Sequence, residues 1–326
     1  MTSDDKLMQE ALAAAESARL LAAPNPWVGA AIESPSGSFH LGATEAPGGD
    51  HAEIVALRSA GYDAQGSTLA TTLEPCSHVG RTGACVEAII KAGVSRVVVG
   101  VIDPDQQVDG TGVDRLRAAG IDVVVGIRAI EAAEQLAPYL HHRRTGRPYV
   151  VVKLAATVDG RTAAPDASSK WITGVEARTD GHRLRAESQA ILVGSGTIRS
   201  DDPALTTRMV DGPNPRRIVL GSAPPDARVH PCLEWRGEIG GLLDLLGQEG
   251  VLQLMIEGGP NTIAQFHAEH LVNRYVLYLA PAIFGGNDAK PMFSGDGAPT
   301  IETLSRGRFV GMRHVGADLR LDVELD

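Results

Sequence analysis

His51-Ala52-Glu53, then Pro75-Cys76, then Cys85 bring one imidazole, two thiols and a carboxylate into a short stretch of chain. One imidazole and two thiolates suit Zn²⁺, and three protein ligands leave the fourth tetrahedral position to water. The metal lowers the pKa of that water to about 7, which makes hydroxide available at neutral pH. Glu53 stands two positions from His51, and an i, i+2 pair on a helix does not lie side by side. Glu53 therefore reads as a proton shuttle beside the water and not as a ligand. The alternative is a closed structural site, which needs a fourth protein ligand; His78 is the residue at hand to supply it.

Periodicity and punctuation indicate how these residues are held. Asp4 to Ala22 is expected to be an amphipathic helix, with Leu7, Met8, Ala11, Ala15, Ala18 and Leu21 near one face, stopping before Pro24-Asn25-Pro26. A short strand follows at Val28 to Ile32, then a helix at Ala52 to Ala60 ended by Gly61. The strand Ser67 to Leu73 runs into Glu74-Pro75-Cys76. Helices at Gly83 to Ala92 and Gly112 to Ala119 alternate with strands at Arg96 to Val101 and Asp122 to Gly126. The polar stretch from His141 to Pro148 breaks the pattern, so two domains are expected, 1–145 and 146–326. The second set begins with strand Tyr149 to Ala155, helix Val175 to Ala186 and strand Ala190 to Val193. A helix at Gly241 to Leu246, strand Val251 to Ile256, a helix from Asn261 and strand Arg274 to Leu279 follow. Strands alternating with helices mean layered α/β domains.

Composition narrows the class. The 326 residues are 43% hydrophobic and 21% charged, a globular balance with room for two domains. Residues 1–145 carry 11 basic and 18 acidic side chains and residues 146–326 carry 19 and 22, so neither half offers a basic surface to nucleic acid. No apolar run reaches the roughly 18 residues of a membrane helix. The acidic start of the chain does not read as a secretory signal, and a cytoplasmic location is expected. Three cysteines make no disulfide framework; Cys232, far from the other two, is expected to be a plain thiol.

The His-x-Glu and Pro-Cys pattern is that of zinc nucleobase deaminases, but their cysteines stand three apart and these stand nine apart. The intervening loop carries His78, Arg81 and Thr82, which suit a phosphorylated sugar attached to the base. Glu74-Pro75-Cys76-Ser77-His78, Gly80-Arg81-Thr82 and Cys85, with Pro24-Asn25-Pro26-x-Val28-Gly29 and His51-Ala52-Glu53, resemble the bifunctional riboflavin-biosynthesis deaminase–reductases. The resemblance implies that Asn25, His78 and Arg81 contact the substrate. Many members have a histidine about seven residues before His-Ala-Glu; this chain has Thr44.

The resemblance continues through Lys153-Leu154-Ala155, Asp159-Gly160-Arg161-Thr162-Ala163, Trp171-Ile172-Thr173, Leu184-Arg185-Ala186, Gly194-Ser195-Gly196-Thr197, Asp201-Asp202-Pro203-Ala204-Leu205-Thr206 and Glu257-Gly258-Gly259-Pro260. It implies a cytidine-deaminase-like three-layer α/β domain followed by a dihydrofolate-reductase-like α/β domain that uses NADPH. Ser169, Arg185, Leu205, Arg208 and Glu257 would line the substrate pocket, with Asp201 assisting the chemistry. Lys153, Trp171, Thr197, Gly258 and Gly259 would lie near the cofactor, and Trp171 would also face the substrate. Independently of the resemblance, two apolar strands run into glycine, at Gly194-Ser195-Gly196 and at Gly258-Gly259. Such turns before a helix can cradle phosphate, although neither is a Gly-x-Gly-x-x-Gly fingerprint.

The implied activity is hydrolytic deamination of 2,5-diamino-6-ribosylamino-4(3H)-pyrimidinone 5′-phosphate, followed by NADPH reduction of the ribosyl group. A homo-oligomer is expected from the family. Two competing readings stay open. Residues 209–250, crowded with prolines, look short for the family, which leaves an active deaminase with an inert second half. The other is a regulatory protein with a structural zinc.

Overall fold

Two layered α/β units, Met1–Gly146 and Arg147–Asp326, make up the chain in a computed structural model that describes residues 3–77, 83–166 and 168–325. In the first unit the elements run α1 (Ser3–Ala15), β1 (Gly29–Glu33), β2 (Phe39–Ala43), α2 (Ala52–Ala60), β3 (Thr68–Leu73), α3 (Cys85–Ala92), β4 (Arg96–Val101), α4 (Thr111–Ala118), β5 (Asp122–Val125), α5 (Ala129–Gln135) and α6 (Ala137–Thr145). The sheet order is β2-β1-β3-β4-β5, with β1 antiparallel to both neighbours and β3, β4 and β5 parallel.

Helix α2, which carries the His-x-Glu pair, sits against β2 at Gly42. A Cβ there would lie 2.2 Å from the Ala52 carbonyl oxygen and 2.5 Å from the Ala56 nitrogen. Only glycine permits that approach, which fixes the height at which α2 begins. Leu7, Met8 and Ala11 of α1 pack on Ala31, Ala70 and Val98 of the same sheet.

One expectation needs correction. The first α-helix ends at Ala15 and tightens into a 3₁₀ turn, Glu16–Ala18, so Leu21 lies outside the apolar face and is 60% exposed. The units divide after Gly146, within the polar stretch from His141, where α6 runs on to Thr145 and buries Tyr139, Leu140 and His142. Residues 209–250 hold two strands that the sequence reading did not place, beside the helix it expected at 241–246.

That unit contains β6 (Tyr149–Thr157), β7 (Arg161–Ala163), α7 (Val175–Glu187), β8 (Ala190–Gly194), α8 (Ser195–Asp201), β9 (Arg216–Leu220), β10 (Leu233–Trp235), α9 (Ile239–Gln248), β11 (Gln253–Ile256), α10 (Pro260–Ala268), β12 (Arg274–Ala280), β13 (Lys290–Pro291), β14 (Gly307–Val315) and β15 (Asp318–Leu325). The eight-stranded order is β10-β9-β8-β11-β6-β12-β15-β14. It is parallel from β10 to β12 and closes with two antiparallel strands. Strands β8 and β11 are buried along their whole length, as parallel strands covered on both faces must be. Leu242, Leu243 and Leu246 of α9 pack on Leu192, Ile218 and Leu254. The proline-crowded segment thus supplies two parallel strands and a core helix.

Candidate active site

His51 caps the N-terminus of α2, Cys85 opens α3, and Cys76 follows β3 by three residues. Three separate elements therefore deliver the three donors to one point. His51 Nδ1 lies 3.6 Å from Cys76 Sγ and 3.3 Å from Cys85 Sγ, and all three donor atoms lie within 4.8 Å of one another. A tetrahedral zinc with ordinary Zn–N and Zn–S bonds needs about 3.6 Å between nitrogen and sulfur. Donor set and spacing fit that ion.

The electrostatics fit as well. The Cys85 thiol and the His51 imidazole hold the Cys76 thiol down to about 4 against its burial, and the Cys85 N–H donates to its sulfur at 3.3 Å. Cys85 is pushed up by its bond to Cys76 and by burial. His51 is raised to about 9, chiefly by Cys76. Two buried thiolates side by side require a cation, and taking one up releases these protons. Glu53 is 3% exposed, in the first turn of α2, and burial raises it to about 7. A carboxyl balanced near neutrality can both accept and return a proton.

His51, Glu53 and Cys76 open on a cavity of about 400 Å³ that Asn25, Thr44, Glu74, Asp103 and Tyr139 also line, a size suited to a small molecule. Asn25 is held between its prolines by its N–H, which donates to the Ala22 carbonyl at 2.8 Å. Thr44 is buried, and its hydroxyl accepts the Val28 N–H at 3.1 Å, tying the strand ends together. His78 and Arg81 lie outside the described residues.

Sequence reasoning missed the far wall. Buried Glu74 accepts N–H bonds from Asp103 (3.3 Å), Gly110 (3.0 Å) and Val113 (3.0 Å), which pins the loop after β4. Tyr139 donates to both Asp103 oxygens, at 3.0 and 3.2 Å. A carboxylate directly ending an apolar strand was the available signal for Glu74.

In the second unit the charged groups gather at the carboxyl edge of β6, β8 and β11, where open α/β sheets bind ligands. Glu257 is the hub: Arg185 bonds to it at 2.5 Å and Lys153 Nζ lies 3.7 Å away. Burial resists its ionisation, but Arg185 and Lys153 outweigh that and hold it below the ordinary carboxylate range. The other arm of Arg185 donates to the Thr206 carbonyl at 2.6 Å, and His182 Nδ1 accepts the Arg208 N–H at 3.2 Å. Burial, then Arg185 and Arg208, lower His182 to about 4. Leu205, buried just ahead of this segment, has φ +52°, a left-handed conformation costing about 1–2 kcal/mol that the surroundings must hold.

The two glycine turns meet at Thr262. A Cβ on Gly194 would lie 2.4 Å from its hydroxyl and one on Gly258 2.8 Å from its Cβ, so packing already demands both glycines. Gly259 caps α10, and the Thr197 hydroxyl lies 3.5 Å from where its Cβ would stand. The glycine-flanked start of α10, beside a lysine and two arginines, fits an anionic dinucleotide and a phosphorylated substrate. Ser169 is half-buried and Asp201 is exposed at the end of α8; neither bonds to the Glu257 network among the described residues. Trp171 is 67% exposed, with the Arg178 guanidinium 4.5 Å from its ring centre. Cys232 is half-buried, 3.5 Å from His230 Nδ1, and burial raises its pKa.

Chelating the metal at neutral pH should abolish ammonia release and make Cys76 and Cys85 newly reactive to an alkylating reagent. NADPH oxidation on a preformed uracil substrate should not change, and added zinc should reverse both effects. Protection of the thiols without zinc would count against the metal centre.

Comparison with known proteins assigns a family to each unit. Residues 1–101 match the cytidine and deoxycytidylate deaminase zinc-binding region, and residues 148–321 match the RibD C-terminal domain. The chain is 42% identical over 322 residues to the riboflavin biosynthesis protein RibD of Mycobacterium tuberculosis, covering 92% of this chain and 91% of that protein. It is 36% identical to RibD of Escherichia coli, with 98% of each covered. The solved structure of Acinetobacter baumannii RibD superposes with a TM-score of 0.90 at 34% identity, over 99% of both chains. A Thermotoga maritima structure, described as a diaminohydroxyphosphoribosylaminopyrimidine deaminase/5-amino-6-(5-phosphoribosylamino)uracil reductase, superposes with a TM-score of 0.87 at 27% identity, over 99% of each. A zinc-binding deaminase region followed by a RibD C-terminal domain, with relatives matched over nearly the whole chain, makes this chain a member of the RibD family of bifunctional riboflavin-biosynthesis enzymes.

Proposed function

We propose that the chain performs two consecutive steps of riboflavin synthesis on one phosphorylated pyrimidine. The first is hydrolytic deamination of 2,5-diamino-6-ribosylamino-4(3H)-pyrimidinone 5′-phosphate, in which water replaces the ring amine and ammonia leaves. The second is NADPH reduction of the resulting 5-amino-6-(5-phosphoribosylamino)uracil to its ribityl form. The observation that carries the first step is buried Glu53 beside the His51, Cys76 and Cys85 donors in a small-molecule cavity.

In the deaminase half His51, Cys76 and Cys85 would hold zinc, whose contribution when bound is a water of lowered pKa. Glu53 moves one proton to the ring nitrogen beside the attacked carbon and another to the departing ammonia. Asn25 orients the ring, and His78 and Arg81 take the sugar phosphate.

The reductase half would hold NADPH, whose contribution when bound is a hydride for C1 of the opened ribosyl group, with a proton from solvent going to the attached nitrogen. Lys153, Thr197 and the Gly258-Gly259 turn hold the cofactor, with Trp171 alongside. Arg185 and Arg208 grip the phosphate, Glu257 keeps Arg185 in place, and Ser169 and Leu205 shape the pocket. Asp201 assists ring opening. Two ordered strands and a core helix in residues 209–250 support an active reductase over an inert one.

The reading includes a homo-oligomer. The outer strand β14 ends its sheet with Phe309 and Met312 70% and 72% exposed, an edge that soluble proteins usually cover. It also includes a cytoplasmic enzyme without nucleic-acid partners; among the described residues no helix is long and apolar enough to cross a membrane.

The test gives purified protein the diaminopyrimidine ribosyl phosphate, with and without NADPH, and follows ammonia and NADPH together. Ammonia release should need no NADPH, and NADPH loss should follow it. Ammonia alone would refute the reductase step, and neither signal from zinc-loaded protein would refute the whole reading.

A further inference from the structure

Arg208 stands on a stretch of chain with no regular secondary structure, between α8 and β9. That stretch is tied down residue by residue. Arg185 of α7 donates to the Thr206 carbonyl at 2.6 Å, and the Thr207 N–H donates to Asn214 Oδ1 at 2.7 Å from the other side. The Arg208 N–H itself donates to His182 Nδ1 at 3.2 Å. His182 and Arg185 are three apart on α7 and so share a face. Leu205, at φ +52°, leads into the segment, so its path is not one the chain adopts unaided.

The Arg208 guanidinium has no carboxylate partner among the described residues. The side chain is exposed; what burial it has, then Arg185 and Arg228, disfavour its charge, while Glu257 favours it. Two neighbouring arginines with one carboxylate between them leave room for an anion. The backbone of residue 208 sets where that side chain starts, and the ring of His182 is the group that bonds to that residue's own amide.

We propose that His182 is a positioning residue of the reductase half: by accepting the Arg208 amide it fixes the guanidinium that grips the substrate phosphate. The proposal rests on Arg208 as a phosphate ligand. An imidazole that accepts an N–H at Nδ1 carries its single proton on Nε2, so the ring is committed to one tautomer. The groups around it are Arg185 on its own helix, Arg208 on the facing segment, Lys153 on β6 and Glu257 after β11. Burial and the three cations favour the neutral ring and only Glu257 opposes them, so the acceptor persists through neutral pH.

The experiment uses the full chain and compares two substrates, the phosphorylated ribosylaminouracil and its 5′-hydroxyl counterpart. His182→Leu removes the acceptor while keeping bulk; His182→Gln retains an acceptor oxygen. The Leu variant should raise KM for the phosphorylated substrate about tenfold and leave the hydroxyl substrate within about twofold. Its NADPH affinity should also stay within about twofold, which reports an intact second unit. The Gln variant should recover the phosphate preference to within about threefold of the parent.

Arg208→Ala is measured in parallel. If it keeps the preference, Arg208 is no phosphate ligand and the underlying reading fails. If it loses the preference but His182→Leu does not, the proposal on His182 is overturned. Equal losses on both substrates without rescue by Gln would also overturn it, leaving His182 a structural residue only.

Discussion

Glu53→Gln should lower ammonia release by about 10³-fold while zinc stays at one equivalent per chain. The carboxyl is 3% exposed, raised to about 7, and placed at the start of α2 beside the donors. An amide of the same shape fills that space but neither accepts nor returns a proton. The metal ligands are untouched, so metal content should not fall, and metal analysis separates a lost shuttle from a lost site. NADPH oxidation on preformed 5-amino-6-(5-phosphoribosylamino)uracil should match the parent, since Glu53 belongs to the other unit. Ammonia release within about tenfold of the parent would remove Glu53 from the proton path. Loss of zinc along with activity would instead make it a support for the metal site.

The deaminase centre was legible because its chemistry is compressed into short motifs. His51 and Glu53 fall at the entry to a helix whose start and Gly61 stop could be read from sequence, and α2 spans the expected residues. Cys76 follows an apolar strand and Cys85 opens the next helix, so two punctuation marks deliver both thiols. What sequence could not supply was the far wall. Tyr139 reaches Asp103 from α6, a helix that lay hidden under a run of histidines and arginines. Polar composition suggested only a domain boundary there, yet Tyr139, Leu140 and His142 turn one face inward. Amphipathicity carried by so few apolar residues is easily outvoted by charge.

The reductase half was less legible for a physical reason. Its site is assembled by sheet order, which brings strands distant in sequence edge to edge: β11 lies between β8 and β6. Glu257, Arg185 and Lys153 meet only through that order. The glycines were noticed as a phosphate cradle, but Thr262 is the residue that requires two of them, by filling the space a Cβ would need. Strands β9 and β10 escaped notice because prolines surround them and each is short. The final hairpin, β14 and β15, alternates too loosely to announce itself, with charged side chains on much of its surface.

The same hub predicts the largest stability effect. Glu257→Gln keeps the shape of the side chain but leaves the guanidinium of Arg185, 10% exposed, beside a neutral amide. Removing one partner of a buried ion pair costs about 3–5 kcal/mol, so the second unit should unfold at markedly lower denaturant concentration at pH 7. Reductase turnover should fall with it, because Arg185 also holds the Thr206 carbonyl and through it the segment of Arg208. The pH dependence has a definite sign. Glu257 titrates lower in the folded chain than in the unfolded one, so its contribution is complete above the ordinary carboxylate pKa of about 4.3. It is lost as pH falls through the lower folded value. His182, lowered from 6.5 to about 4 with Glu257 opposing, loses stability in the same direction at a higher pH, so parent and variant are also compared in a His182→Gln background that removes this titration. The gap between parent and Glu257→Gln should therefore be wide at pH 7 and narrow in acid, as read by denaturant unfolding at a series of pH values. A gap that stays constant with pH would mean that Glu257 acts by shape and hydrogen bonding alone, and that its charge does not hold the arginine in place.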